Sequence, residues 1–260
     1  KLNIYQNFEC LNKIFKEKKI DYVMNSIVGL SGLKPTLDII KFTNQIAIAN
    51  KESIICGWNL IQYELKKNNT NIIPVDSEHF SIWSLLNNYK IGDDSKVANE
   101  IKNIVITASG GPFLNTSLKK FNKIRVKDAI NHPTWKMGKK ISIDSATLVN
   151  KIFETIEAQR LFRIKIKDVI IKIHNKSYIH SIINFKNGLI KICAHKPDMT
   201  IPISNSLKNN NSNIFRDNIN FKILNNLEFK KVDKKKFKVI TLLKDYPNYC
   251  TLYDTAFVSI

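Results

Sequence analysis

Short β-branched runs alternate with longer segments of helical period in the first third of the chain. The strands are predicted at Asp21–Val28, Ile46–Ala49 and Ile72–Val75. Helices are predicted at Lys1–Lys19, about Lys34–Phe42 and Gly57–Asn69, and a further helix runs through Leu86 after the acidic residues that follow the third strand. Strands that alternate with helices form parallel sheets, because a parallel connection needs a crossover. The pattern therefore predicts a parallel, doubly wound α/β unit.

A second pattern follows the polar connection Lys90–Asn99, which is typical of a boundary between two domains. A strand is predicted at Ile104–Thr107. Later strands are predicted at Val169–Ile173, Tyr178–Phe185 and Leu189–Cys193, with Asn187-Gly188 as a hairpin turn. Consecutive strands without helices between them are typical of an α+β part.

The stretch between these strands, His132–Phe162, runs from a loop broken by proline and glycine into a helix. The β-branched run Ile141–Ile143 precedes Asp144 and Ser145, either of which is a suitable N-cap. Asn150 and Lys151 lie four and three residues before Glu154, and so share one face of the helix with it. On this helix alone, the pattern favours a solvated face with a weak Lys151–Glu154 surface pair.

Acidic residues follow the predicted strand Ile72–Val75, at the edge where open α/β sheets bind ligands. Asp76 and Glu78, together with Glu154, would offer oxygen ligands from two separate segments. Such ligands suit Mg²⁺ or Mn²⁺ rather than zinc. The competing interpretation is that Asp76 only caps a helix.

A glycine turn, Ser109-Gly110-Gly111, comes directly after the strand Ile104–Thr107. Glycines allow backbone N–H groups to approach an anion closely, although such a turn alone is weak evidence. Ser145, Asn150 and Lys151 would add the donors and the positive charge that a phosphate group needs.

These motifs occur in an order and at a spacing that resemble the 1-deoxy-D-xylulose 5-phosphate reductoisomerase family, from roughly Asp21 to Ile203. The resemblance is specific, because so many independent matches do not arise together by chance. It rests on ANKES (49–53), PVDSEH (74–79), SGGPF (109–113), HPTWKMGKKISIDSAT (132–147), NK with Glu154, IHS (179–181) and PDM (197–199).

The resemblance implies an enzyme that uses NADPH and Mn²⁺ or Mg²⁺ to rearrange and reduce 1-deoxy-D-xylulose 5-phosphate to 2-C-methyl-D-erythritol 4-phosphate, an isoprenoid precursor. It implies Asp76, Glu78 and Glu154 as metal ligands. The implied substrate contacts are Lys51, Ser77, Ser109, His132, Ser145, Asn150 and Lys151, of which Lys51, His132 and Lys151, together with Glu78, are the candidate catalytic residues. The implied cofactor contacts are Asn50, Glu52, Gly138 and Met137, and Trp135 lies with Met137 on a loop that closes over the site.

The same resemblance divides the chain into residues 1–90, the remainder of an NADPH-binding domain, 91–206, a catalytic domain for metal and substrate, and 207–260, a linker and the start of a C-terminal region. No glycine-rich cofactor motif precedes Lys1, so the chain reads as a fragment. Inside the motifs, Ile152-Phe153 replaces Gly-Leu, and His195-Lys196 stands where a small residue is usual. His180, on a predicted strand, is assigned only a supporting role.

Composition changes this picture little. The net charge of +19 and the pI near 9.7 admit a nucleic-acid-binding protein, but lysines are scattered throughout and no recognition motif accompanies them. A second alternative is a remnant that binds metal and phosphosugar without NADPH turnover. No signal peptide, apolar run of membrane-spanning length or C-x-x-C motif is visible. The expected partners are the phosphosugar and a second copy in a homodimer, with no nucleic acid or membrane, in the cytoplasm of a bacterium or in a plastid.

Overall fold

The computed structural model describes residues 10–15, 18–87, 90–91, 97–135, 137–207, 220–247, 249, 254–255 and 258. Most of the predicted helix Lys1–Lys19 lies outside these residues, apart from a short helix, α1, at Leu11–Ile14. The central part of the polar connection and residues 208–219 lie outside them as well.

The first sheet is parallel, as the alternating pattern predicts. Its strands β1 (Ile20–Asn25), β2 (Thr43–Ile48) and β3 (Asn71–Pro74) lie in the order β1-β2-β3. The crossovers contain helices α2 (Leu33–Ile40) and α3 (Lys51–Asn68). The carboxyl ends of all three strands therefore meet at one edge.

Among the residues that the structure describes, the second sheet has five strands, which run in mixed directions. They are β4 (Ile101–Ala108), β5 (Val169–Ile173), β6 (Ile179–Phe185), β7 (Ile190–Ala194) and β8 (Lys230–Lys231). The order is β7-β6-β4-β5-β8, in which only the β4–β5 pair is parallel. A parallel α/β sheet followed by an α+β sheet confirms the predicted fold class.

The remaining helices connect and cover these sheets. They are α4 (Ser77–Leu85), α5 (Val97–Glu100), α6 (Val126–Ile130), α7 (Lys139–Thr147), α8 (Val149–Phe162), α9 (Thr200–Ser206) and α10 (Phe221–Leu224). Within the described ranges, no helix is both long enough and apolar enough to cross a membrane.

The prediction that a β-branched run leads into a helix at Asp144 or Ser145 is wrong. Residues 141–143 are already helical, because α7 begins at Lys139 after Gly138. The helix ends at Thr147, and the left-handed backbone of Leu148 (φ 64°) turns the chain before α8 begins. Leu148 is almost completely buried, so packing of its side chain offsets the cost of the left-handed conformation.

The predicted solvated face of the long helix is also wrong. From Lys151 to Phe162, α8 is buried on all sides, because it packs against α3, α4 and the second sheet. Helix α3 likewise begins at Lys51, six residues before the predicted start at Gly57. Gly57 is not a breaker there: a Cβ at this position would lie 2.2 Å from a methyl group of Leu33, so glycine permits close packing of α2 on α3.

Candidate active site

Three carboxylates from two helices converge beside the carboxyl end of β3. Asp76 caps α4, where its Oδ1 accepts from the Glu78 backbone N–H at 3.4 Å. Glu154 lies on the second turn of α8 and is 1% exposed. One oxygen atom from each of Asp76, Glu78 and Glu154 lies within 4.8 Å of the other two. Asp76 can therefore cap α4 and also be a metal ligand, so the two interpretations do not exclude each other.

Two buried lysines lie between these carboxylates. Lys51 Nζ lies 2.5 Å from Asp76 Oδ2 and donates to Asn150 Oδ1 at 2.7 Å. Lys151 Nζ lies 2.5 Å from both Glu78 Oε1 and Glu154 Oε2. The Lys151–Glu154 pair therefore exists, but it is a buried pair rather than the weak surface pair that the helical pattern favours.

The electrostatics of the cluster follow from this burial. Desolvation raises the pKa of Glu154 to about 8, and the negative charge of Glu78 adds to the shift. For Asp76, burial also acts to raise the pKa, but the charges of Lys51 and His79, together with hydrogen bonds from Glu78 and Lys51, outweigh it and hold the pKa well below the usual range. Burial acts to lower the pKa of Lys51, but the charges of Asp76, Glu154 and Glu157 outweigh it and raise the pKa. Lys51 and Asp76 therefore form an ion pair at neutral pH.

A second network connects the glycine turn after β4 to the loop that begins at His132. His132 Nδ1 accepts from the backbone N–H groups of Thr134 and Trp135, at 3.1 and 2.9 Å. Its proton must then be on Nε2, which donates to Ser109 Oγ at 3.0 Å. Ser109 Oγ also accepts from the Gly111 N–H at 3.1 Å, so the hydroxyl hydrogen of Ser109 is available to a ligand.

Both networks border one cavity of about 170 Å³. Its walls include most of the residues that the sequence singles out. These are Lys51, Asp76, Ser77, Glu78, Ser109, Trp135, Met137, Ser145, Asn150, Lys151 and Glu154.

Four predicted residues do not line this cavity. His132 reaches it only through Ser109. The Asn50 side chain caps α3 and donates to the Gly29 carbonyl, while Glu52 Oε1 pairs with Lys140 Nζ at 2.9 Å. Gly138 is exposed at the start of α7.

The donor set fits a divalent metal. Asp76, Glu78 and Glu154 offer only carboxylate oxygens, which Mg²⁺ and Mn²⁺ prefer. Asp76 also belongs to a second convergent group, with His79 and Glu157. There, His79 Nδ1 lies 3.2 Å from Glu157 Oε2, while His79 Nε2 donates to the Glu154 carbonyl at 2.8 Å. His79 thus connects the two helices that carry the three carboxylates.

Comparison with known families identifies this constellation. The model of the 1-deoxy-D-xylulose 5-phosphate reductoisomerase C-terminal domain matches residues 72–162, and the model named 1-deoxy-D-xylulose 5-phosphate reductoisomerase matches residues 1–57. Together they match more than half of the chain. A relative of that name from Pelagibacter ubique is 56% identical over the whole chain. The chain belongs to the 1-deoxy-D-xylulose 5-phosphate reductoisomerase family.

The reductoisomerases of other bacteria are less similar but cover most of the chain. The enzyme from Treponema denticola is 46% identical over 76% of this chain and 50% of its own length. The chain covers 66% of the Pelagibacter protein, and therefore spans about half to two thirds of the curated relatives.

Solved reductoisomerases have the same fold. A reductoisomerase in complex with NADPH, fosmidomycin and magnesium is 35% identical, with a TM-score of 0.78 over 91% of this chain and 59% of its own. The Zymomonas mobilis enzyme in complex with NADPH is 34% identical, with a TM-score of 0.74 over 86% of this chain and 56% of its own.

Reasoning from the sequence missed several residues at this site. These are Ala49, Thr107, Ile141, Ser177 and Met199, which line the cavity. His180, which the sequence assigns only a supporting role, lines it as well. Nothing local marks Thr107 or Ser177, because their place depends on the fold: Thr107 donates to the Ile179 carbonyl at the start of β6, and Ser177 lies just before that strand. Glu157 could have been found, since it lies three residues after Glu154 on the same helix face.

Proposed function

We propose that this chain carries out the metal-dependent rearrangement of 1-deoxy-D-xylulose 5-phosphate and its reduction by NADPH to 2-C-methyl-D-erythritol 4-phosphate. The observation that carries the proposal is the buried cluster of three carboxylates and two lysines in the cavity wall. We also propose the division of the chain at residues 90 and 206, with cofactor, catalytic and linker parts. The relatives are bacterial, which favours the bacterial cytoplasm over a plastid.

Asp76, Glu78 and Glu154 would hold the metal. A bound Mg²⁺ or Mn²⁺ supplies a Lewis acid that chelates neighbouring oxygen atoms of the substrate and polarises a carbonyl group. The chain's own contribution is preorganisation. Ser77 Oγ donates to Glu78 Oε2 at 2.5 Å, and the two lysines pair with Asp76 Oδ2, Glu78 Oε1 and both carboxylate oxygens of Glu154. Preorganised ligands need little rearrangement during the reaction.

Ser109, Ser145, Asn150 and Lys151 would hold the phosphate group. Ser109 lies on the turn after β4, Ser145 near the end of α7, and Asn150 and Lys151 in the first turn of α8. All four line the cavity. The amino end of α8 adds backbone N–H groups and the positive end of a helix dipole, both of which favour an anion. His132 orients Ser109 through its hydrogen bond, so that the hydroxyl hydrogen can point to the phosphate.

Lys51 would stabilise negative charge on a substrate oxygen, because its ammonium is buried and lines the cavity. Trp135, Met137 and Met199 would exclude water from the opposite side. NADPH supplies a hydride, and the product also gains one proton. Met137 in the cavity wall and Glu52 at the start of α3 would border the nicotinamide end.

The test of this function is NADPH oxidation by the 260-residue chain, followed by absorbance with 1-deoxy-D-xylulose 5-phosphate and Mn²⁺. We expect oxidation that requires both the phosphosugar and the metal. The dephosphorylated sugar is the matched control, and it should react at least tenfold less well because it lacks the group held by Lys151 and the serines.

Calorimetric titration with the phosphosugar separates the alternatives. Metal-dependent binding without NADPH oxidation would contradict the proposal and favour the remnant that only binds metal and phosphosugar. DNA binding that falls with salt, with no phosphosugar binding, would favour the nucleic-acid-binding alternative.

We also propose that the chain forms a homodimer through the second sheet. Strand β7 is an edge strand, and its residues Ile190 and Ile192 are exposed. Ile192 pairs with Ile182 of β6, which in turn pairs with Val105 of β4. This row of β-branched residues crosses three strands on one face. If a second copy packs the same face against this one, the exposed apolar residues of both copies become buried, as in a two-fold symmetric interface.

Replacing Ile192 by lysine should weaken this dimer at least tenfold, since it places a charge in an apolar interface. Sedimentation equilibrium of the 260-residue chain would measure the dissociation constant. Leu60→Lys is the matched control, because Leu60 is 57% exposed, similar to Ile192 at 51%, but lies on α3. Equal weakening by both substitutions, or by neither, would contradict the proposed interface.

A further inference from the structure

Three aromatic rings form a continuous stack that leads away from the cavity. Trp135, on the loop between His132 and α7, packs edge-to-face on His180, with ring centroids 6.1 Å apart. The His180 and His195 rings are stacked, with centroids 3.7 Å apart and planes inclined by 16°. Trp135 and His180 line the cavity, whereas His195 does not.

Hydrogen bonds to the backbone fix both histidine rings. His180 Nε2 donates to the carbonyl of His195 at 3.1 Å, and His195 Nδ1 donates to the carbonyl of Lys196 at 2.7 Å. The His195 backbone N–H donates to the carbonyl of Tyr178, the residue just before β6. Each ring therefore presents a defined plane, and His180, which is buried, cannot turn without breaking its bond to the segment after β7.

Among the described contacts, the Trp135 indole has no hydrogen bond like those that fix the two histidine rings. Its backbone N–H is held by His132 Nδ1, but its indole lies against His180. The position of that indole over the cavity therefore depends on how firmly the His180 plane is held. His195 supplies the support on the other side of that plane, because a small residue at position 195 would offer His180 no ring to stack on.

We propose that His195 is a positioning residue that stacks on His180 and thereby fixes the place where Trp135 docks over the cavity. A stacked aromatic pair contributes an amount of free energy that corresponds to a two- to tenfold change in an equilibrium constant. The docked fraction of Trp135 should change by this factor. The effect on the enzyme rests on the proposed function, but the docking of Trp135 can be measured without activity.

The experiment is acrylamide quenching of Trp135 fluorescence in the 260-residue chain. The signal of Trp135 is the difference between the chain and its Trp135→Phe variant, since Trp58 and Trp83 are both only 6% exposed. His195→Ala should raise the quenching constant of Trp135 at least twofold, and His195→Phe, which keeps a stacked ring, should restore the original value. His195→Leu keeps most of the volume without an aromatic ring, so it provides the test if the alanine variant does not fold.

His174→Ala is the matched control. His174 is also buried and stacks on an aromatic ring, Phe229, at 5.1 Å, but it does not line the cavity. The His174→Ala substitution should lower the melting temperature of the chain and leave the quenching constant of Trp135 unchanged. Unchanged quenching in both His195→Ala and His195→Leu, or an equal rise in His174→Ala, would overturn the proposal.

A second readout applies if the chain turns over 1-deoxy-D-xylulose 5-phosphate. His195→Ala should then raise KM two- to tenfold, and His195→Phe should restore it. Absence of turnover in every variant would count against the proposed function and leave the fluorescence result to decide the role of His195. An unchanged KM in an active His195→Ala variant would overturn the role in the enzyme.

Discussion

Replacing Glu154 by glutamine should reduce metal-dependent NADPH oxidation by about a thousandfold, since a Lewis acid supplies several kcal/mol of charge stabilisation. Glutamine keeps the size of the side chain but cannot ionise, so it removes the carboxylate that would bind the metal together with Asp76 and Glu78. Mn²⁺ affinity should fall in parallel. The measurements are initial rates of NADPH oxidation and calorimetric titration of the 260-residue chain with Mn²⁺.

Glu157→Gln is the matched control for this prediction. Glu157 lies one turn further along α8 and is as buried as Glu154, but it belongs to the group with His79 and Asp76. We expect its Mn²⁺ affinity to fall less than tenfold. A larger loss in Glu157→Gln than in Glu154→Gln would move the metal from the three-carboxylate group to the group that contains His79. Retention of full metal-dependent activity in Glu154→Gln would contradict the ligand assignment outright.

The fold was predictable where the spacing of apolar residues along the chain agrees with their burial in the structure. Strand β5 lies at the predicted residues, Val169–Ile173, and β2 and β3 start within three residues of the predicted positions. These strands consist of β-branched runs bounded by loops, and parallel pairing follows from the helices between them. Prediction therefore succeeded where the chain's preference and the tertiary structure impose the same conformation.

Prediction was wrong where packing overrides local preference. The run Ile141–Ile143 favours a strand, but it is helical because α7 begins at Lys139 and packs against α8. The turn at Leu148 has no glycine to announce it. Helix α8 carries charges on one face, which favours exposure, yet Lys151 and Glu154 are buried against carboxylates and lysines from other segments.

Much of the candidate site was within reach of the sequence because its residues follow strand ends. Asp76, Glu78 and Ser109 come directly after β3 and β4, where ligands collect at the edge of a sheet. The pairing of Lys51 with Asp76 was out of reach, since it depends on α3 and α4 meeting in space. The stack of His195 on His180 could not be predicted either, because it depends on the antiparallel pairing of β6 and β7.

Replacing Gly111 by alanine should lower the free energy of unfolding by about 3 kcal/mol. Its backbone has φ 62°, which costs a residue with a Cβ roughly 1–2 kcal/mol. A Cβ there would also lie 2.8 Å from the Ser145 carbonyl oxygen and 3.0 Å from Ala146 Cα, and neither backbone atom can move without shifting α7. The shift would separate Ser109 from Ser145, so affinity for the phosphosugar should fall as well. Urea denaturation and calorimetric titration would measure the two effects.

Gly188→Ala separates the contact from the backbone conformation. Gly188 also has a left-handed backbone, with φ 89°, but its Cβ would meet no atom within 4 Å. Alanine there should cost only the conformational part, roughly 1–2 kcal/mol, and leave phosphosugar affinity unchanged. Equal destabilisation by the two substitutions would mean that the turn after β4 can move away from α7. In that case Ser109 and Ser145 would not be held rigidly enough to form one phosphate site.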